Sequence, residues 1–187
     1  MTPAEPLRPV RSSLTLAQAM AIVDAALKAA RAHGLLPLAV AVLDAGAQLV
    51  AFQREDGCGT LRFDIAVGKA AAALGMGMST RLIRDRLAAR PAFQSALAAA
   101  SDGRFIPVPG GVLVLDAAGA AIGAVGISGD TSDNDEAAAL LDARELGPGF
   151  LAEGRGDLGR ADAERIAGGG RGAGAAPVAR LPLTREV

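Results

Sequence analysis

Pro107-Val-Pro109-Gly110-Gly111-Val-Leu-Val-Leu115-Asp116 and, after a short turn, Ala121-Ile-Gly123-Ala-Val-Gly126-Ile127-Ser128-Gly129-Asp130 decide the reading of this chain. Val112 to Leu115 is an apolar run of strand formers. Asp116-Ala-Ala-Gly119-Ala supplies turn chemistry, and a second apolar run follows at once, which predicts a hairpin of two buried strands. Gly123 and Gly126 leave the second strand without side chains at two points. Glycine weakens a strand unless a bulge, a ligand or another backbone comes close there. After Ser128-Gly129-Asp130 the chain turns into a helix capped by Thr131 or Ser132. Asp133, Asp135 and Glu136 fall in its first turn, where negative charge meets the positive end of the helix dipole. These acids read either as caps or as the polar rim of a site.

The same grammar recurs upstream. Thr15-Leu-Ala-Gln18 is a capping box. Ala19, Ile22, Val23, Ala26, Leu27 and Ala30 then keep helical spacing up to Gly34. Leu38 to Leu43 is a continuously apolar strand, Asp44-Ala-Gly46 a turn, and Gln48 to Gln53 the returning strand. Arg54 to Thr60 forms a polar loop. Thr60 is placed to cap a helix over about Leu61 to Leu74, with Ala66, Lys69, Ala70 and Ala73 on one side. Ser79 or Thr80 opens a short helix to about Ala89, and Pro91 starts another. Phe105 to Val108 could add an edge strand, since Pro107 and Pro109 exclude it from the interior of a sheet. The predicted class is α+β, an antiparallel sheet with helices packed on it.

The chain has 187 residues, enough for one domain plus terminal extensions. Residues 1–13 read as a Pro- and Arg-containing arm, 14–146 as the domain, and 147–187 as a Gly- and Arg-rich tail too poor in apolar residues to offset its ordering entropy. With 19 basic and 20 acidic residues the net charge is −1, which carries no electrostatic footprint for nucleic acid or an anionic membrane. One cysteine, Cys58, excludes an intramolecular disulfide framework and a Cys-rich zinc site. The longest apolar run, Leu35 to Leu43, is far short of the roughly 20 residues that span a bilayer. The N-terminus has no apolar signal-peptide core. A cytoplasmic protein is expected.

Pro109-Gly110-Gly111, the hairpin, Gly123-Ala-Val-Gly-Ile-Ser128-Gly129-Asp130 and the acidic helix start resemble the GlcG/HbpS-like family of haem-binding and haem-degrading proteins, whose module also forms the C-terminal domain of PduO-type proteins. Asp56-Gly57 and Asp64-Ile-Ala-Val-Gly-Lys69-Ala70 match the family's other signature, and the resemblance covers about Leu14 to Leu141. It implies a profilin-like α/β/α sandwich with about five strands, a haem or other tetrapyrrole ligand, and a homo-oligomer in which dimers build to tetramers or octamers. The resemblance leaves open whether the chain is an enzyme.

Arg62, Asp64, Lys69, Pro109, Gly110, Gly111, Ser128, Gly129, Asp130 and Thr131 are the candidate ligand-binding residues. Lys69 lies on the covered Ala-rich side of its helix, so it must find either an anionic ligand or a structural partner such as a hairpin carbonyl or Asp130. Backbone amides at Gly110-Gly111 could face a carboxylate. His33, the only histidine, reads as a solvated helix-end residue, or as a haem axial ligand on the strength of the resemblance. Met76, Met78 and Cys58 are the other iron-ligand types present, and there is no Tyr. Two rival functions stand beside haem binding. One is a protein gripping a small organic acid through Lys69, Arg62 and the Gly110-Gly111 amides. The other is a non-catalytic interaction module whose glycines serve subunit packing.

Overall fold

The computed structural model describes residues 8–140, and residues 141–145 and 151–153 in backbone only. Helix α1 (Leu16–Ala32) begins where the capping box predicts: the Gln18 amide donates to Thr15 Oγ1 at 3.3 Å, and the Thr15 amide to Gln18 Oε1 at 2.8 Å. Strands β1 (Ala39–Asp44) and β2 (Leu49–Arg54) form the first hairpin. Helix α2 (Arg62–Met76) follows, then α3 (Thr80–Leu87) and α4 (Pro91–Ala100). Strands β3 (Gly111–Leu115) and β4 (Ala121–Ser128) form the second hairpin, and α5 (Ser132–Glu145) closes the domain.

β4 pairs with β1 as well as with β3, all antiparallel, so the hairpins join into the order β2-β1-β4-β3. The sheet proper has four strands, and the next position beside β3 is taken by a three-residue strand, β5 (Leu151–Glu153), in a stretch read as tail. The rest of residues 147–187 lies outside the described residues. Phe105 to Val108 is not a strand, because the Ile106 amide donates to the Gly68 carbonyl of α2 at 3.3 Å and so is lost to any ladder.

Strand alternation sends Val40, Val42, Val112, Val125 and Ile127 to the face covered by α1 and α5, where they meet Ile22, Val23, Ala138 and Ala139. Leu43, Leu113 and Ala124 point the other way, under Ala70 and Ala73 of α2. Each fully buried branched side chain contributes roughly 1.5–3 kcal/mol. Ile83, Leu87 and Phe105 form a third cluster beside α2. Among the described residues, no helix is long and apolar enough to cross a membrane.

Candidate functional site

The Ala-rich face of α2 sits on β4 at the point where Gly126 has no side chain. A Cβ built on Gly126 would lie 1.9 Å from the Ala66 carbonyl oxygen, so helix and strand backbones touch. Gly111 is equally filled: its Cβ would meet the Lys69 carbonyl oxygen at 2.4 Å. Gly129 does the same against the Pro37 carbonyl at 2.2 Å. The glycines therefore serve close approach, as the sequence suggested, but what approaches is this chain's own backbone.

That seating buries Lys69, which is 1% exposed. Its ammonium donates to the Ile127 carbonyl and to Asp135 Oδ2, both at 2.8 Å. Of the two readings open at the sequence level, this geometry is the structural link, with Asp135 in place of Asp130. Burial pulls the Lys69 pKa down, against the attraction of Asp135, and burial pushes the Asp135 pKa up, against the attraction of Lys69. Asp64, matched with Lys69 in sequence, stays exposed in the first turn of α2.

The expectation of a ligand-facing amide does not hold at Gly111. The Gly111 amide donates to Thr80 Oγ1 at 2.9 Å, the Thr80 hydroxyl donates to the Gly111 carbonyl at 3.2 Å, and the Gly110 carbonyl accepts from the Ile127 amide at 2.8 Å. Pro109 and Gly110 are buried, and the left-handed Gly110 (φ +116) turns the chain beneath the Lys69 ammonium.

The first turn of α5 holds three other elements. Asp130 Oδ2 accepts from the Leu36 amide at 2.7 Å, tying down the α1–β1 loop, and its Oδ1 accepts from the Thr131 amide and from Asn134 Nδ2. Burial raises the Asp130 pKa, but these donors outweigh it and the net direction is down. Asp135 takes Lys69 of α2. Arg81 of α3 bonds Glu136 and, at 2.5 Å, Asp133. Burial raises the Glu136 pKa in spite of Arg81. Thr131 is exposed, and its Oγ1 caps the Asn134 amide at 3.3 Å. Sequence reasoning left these acids open between caps and the rim of a site, and missed their partners. Of the two cap candidates for α3, Ser79 takes the N-cap position and Thr80 is buried against Gly111.

What remains open lies at one end of the sheet. Arg62 Nη1 donates to Ser128 Oγ at 3.2 Å, and Cys58 Sγ lies 4.0 Å from the Ser128 carbonyl. Glu55 accepts from the Leu38 amide at 2.7 Å and pairs with Arg31 at 2.9 Å, while Arg31 Nη2 reaches the Leu36 carbonyl. His33, the C-cap of α1, is half-exposed. Burial raises the Cys58 thiol pKa despite nearby Arg62, so the thiolate is disfavoured.

These positions bear on haem. Met76 and Met78 pack beside the Ile83–Leu87–Phe105 cluster, Lys69 is sealed, and burial disfavours the Cys58 thiolate. The His33 imidazole is half-exposed, and the Arg62 guanidinium is held by Ser128. The described residues contain no group of three or more His, Cys, Asp or Glu side chains that could hold a metal ion.

Comparison with known proteins bears on the same residues. Among proteins of curated function none matches the chain. The crystal structure of HbpS is similar at 28% identity with a TM-score of 0.63, covering 79% of this chain and 99% of that one. The Klebsiella pneumoniae protein ORFY, of the DUF336 family, gives 27% identity, a TM-score of 0.63 and coverage of 78% and 96%. The PduOC:Heme complex gives 21% identity, a TM-score of 0.63 and coverage of 72% and 94%, a likeness of fold. The model of the family described as "Haem degrading protein HbpS-like" matches residues 14–142, and the chain belongs to that HbpS-like family.

Proposed function

We propose that this chain binds haem or a closely related tetrapyrrole at the rim formed by the end of α1, the start of α2 and the end of β4. The observation that carries the reading is the family match over residues 14–142. The haem complex of a protein with the same fold supports it. His33 would hold the iron through its imidazole, and Arg62 would pair with a propionate. Bound haem supplies a redox-active iron. This chain's own residues supply the seat: Ser128 fixes the Arg62 guanidinium, and Asp130 pins the loop that follows His33.

The finer reading, that the chain assists haem breakdown, follows from the family's description. Gripping a small organic acid through Lys69 and Gly110-Gly111 is not favoured, because the Lys69 ammonium and the Gly111 amide already have partners inside the fold. Hemin titration tests the main reading. Saturation near one equivalent with a shifted Soret band is expected, lost in His33→Ala while the melting temperature holds. An unchanged Soret band would end it. Peroxide-dependent bleaching of the bound haem, against free hemin, tests the finer part.

A further inference from the structure

The segment between α1 and β1 presents a large apolar side chain on a backbone that charged groups hold still. Leu36 is 60% exposed. Its amide donates to Asp130 Oδ2 at 2.7 Å, and its carbonyl accepts from Arg31 Nη2 at 3.0 Å. Arg31 is in turn paired with Glu55 at 2.9 Å. Glu55 holds Leu38 twice: its carboxylate accepts from the Leu38 amide at 2.7 Å, and its amide donates to the Leu38 carbonyl at 2.9 Å. Pro37, between the two leucines, has a ring-locked φ and keeps Leu36 in extended backbone. Gly129 sits against the Pro37 carbonyl, where an added Cβ would come within 2.2 Å, and Gly57 faces the Pro37 ring.

A single exposed leucine is ordinary. Glu55 has an ordinary reason too, since Leu38 is fully buried in the core. That reason does not extend to Asp130 and Arg31, which grip the residue whose side chain leaves the core. What they fix is the position of an apolar group in solvent, and a pre-ordered contact loses little entropy when a ligand covers it. Its place is informative. Ala39, the residue after Leu38, pairs with Ser128 of β4, and neighbouring strands lie about 4.8 Å apart. The clamped segment therefore enters the sheet beside Ser128, which holds the Arg62 guanidinium. A fixed apolar contact near a fixed guanidinium suits a ligand with a flat apolar body and a carboxylate edge.

We propose that Leu36 is the apolar contact for the macrocycle, and that Asp130 and Arg31 are positioning residues acting through it. The inference rests on the haem reading above and assigns, within it, the side chain that meets the ring. Leu36 touches carbon and not iron, so its contribution is the same with or without the metal.

Titrating the full chain with hemin and with metal-free protoporphyrin IX tests this. Leu36→Ser is expected to weaken both ligands about tenfold. The Soret maximum of the hemin-loaded variant is expected to match the wild type, because no iron ligand has changed. Leu49→Ser removes a leucine that is 48% exposed at the β1–β2 turn, the other end of the sheet, and is expected to bind as the wild type does. Arg31→Met is expected to weaken binding about threefold, and to add nothing in the Leu36→Ser chain. Thermal melting establishes that all variants stay folded. A Leu36→Ser chain that binds like the wild type, or no more weakly than Leu49→Ser, overturns the inference and leaves the haem reading standing. An Arg31→Met loss that persists in full without Leu36 overturns the positioning role, since the guanidinium would then meet the ligand itself. A wild-type chain that leaves the Soret band unshifted is the distinct outcome that ends the haem reading, and this inference with it.

Discussion

Lys69 of α2 and Asp135 of α5, 66 residues apart in sequence, meet as an ion pair at 2.8 Å with both side chains 1% exposed. Burial disfavours both charges, and mutual attraction only partly offsets that cost. The pair therefore holds a geometry more than it adds stability. Lys69→Met leaves Asp135 charged in the interior and is expected to cost about 3–5 kcal/mol, read by urea denaturation. Lys69→Met with Asp135→Leu is expected to recover most of that loss. A double variant as unstable as the single one would contradict this account.

Gly126→Ala is a second case. The added methyl would meet the Ala66 carbonyl oxygen, a backbone atom that cannot swing aside. α2 would have to lift from β4, carrying Lys69 off the Ile127 carbonyl. A loss of about 3 kcal/mol or more is expected. Gly119→Ala, in the β3–β4 turn at φ +81 with no atom within 4 Å of a new Cβ, has only backbone strain to bear and is expected to cost about 1–2 kcal/mol. Equal losses at the two sites would show that the helix–strand contact is looser than described.

Local signals in the sequence carried most of the architecture. The Thr15–Gln18 box, the two turn sequences and the period switch along the chain located α1 and both hairpins, and the gaps at Gly123 and Gly126 announced close approach. The sequence could not say what approached. At Gly126 that depends on how α2 lies across the sheet and at Gly123 on the Leu43 carbonyl of β1, relationships among residues more than fifty positions apart. The same limit moved the Lys69 partner from Asp130 to Asp135. Both acids are near the end of β4, and only the turn at Gly129 and the phase of α5 decide which faces inward. Thr60 shows the opposite error: it looked like a cap, yet α2 starts from Leu61 without a side-chain cap bond. Ser79 or Thr80 was read as the cap of α3; Ser79 takes that position without a side-chain cap bond, and the Thr80 hydroxyl pairs with both polar groups of Gly111.

Thr80→Val tests that last point. It keeps shape while leaving the Gly111 amide and carbonyl without their hydroxyl, and Thr80 is fully buried. An unsatisfied buried group costs about 1–3 kcal/mol, so a loss in that range is expected. Thr80→Ser, which retains the hydroxyl, is expected to lose less. If the two variants denature alike, the bond is not what holds α3 to β3.

Acid stability separates the carboxylates of the α5 turn. The folded-state pKa of Asp130 is below its unfolded value of about 3.9. Its contribution is therefore present above that value and is lost as pH falls through the folded pKa. Asp135 and Glu136 are raised, so their contributions are present below the ordinary carboxylate range and are lost as pH rises through their folded values. Because these trends oppose one another, the wild-type curve alone does not isolate Asp130, and the comparison must be with Asp130→Asn. That variant gives up the charge accepting from the Leu36 and Thr131 amides, and is expected to be about 1–3 kcal/mol less stable at pH 7. The gap should narrow from pH 5 to pH 3, as the wild-type carboxylate takes up its proton. A gap unchanged across that range would mean that the two amides do not depend on the charge of Asp130, and that the loop after His33 is held in place by packing alone.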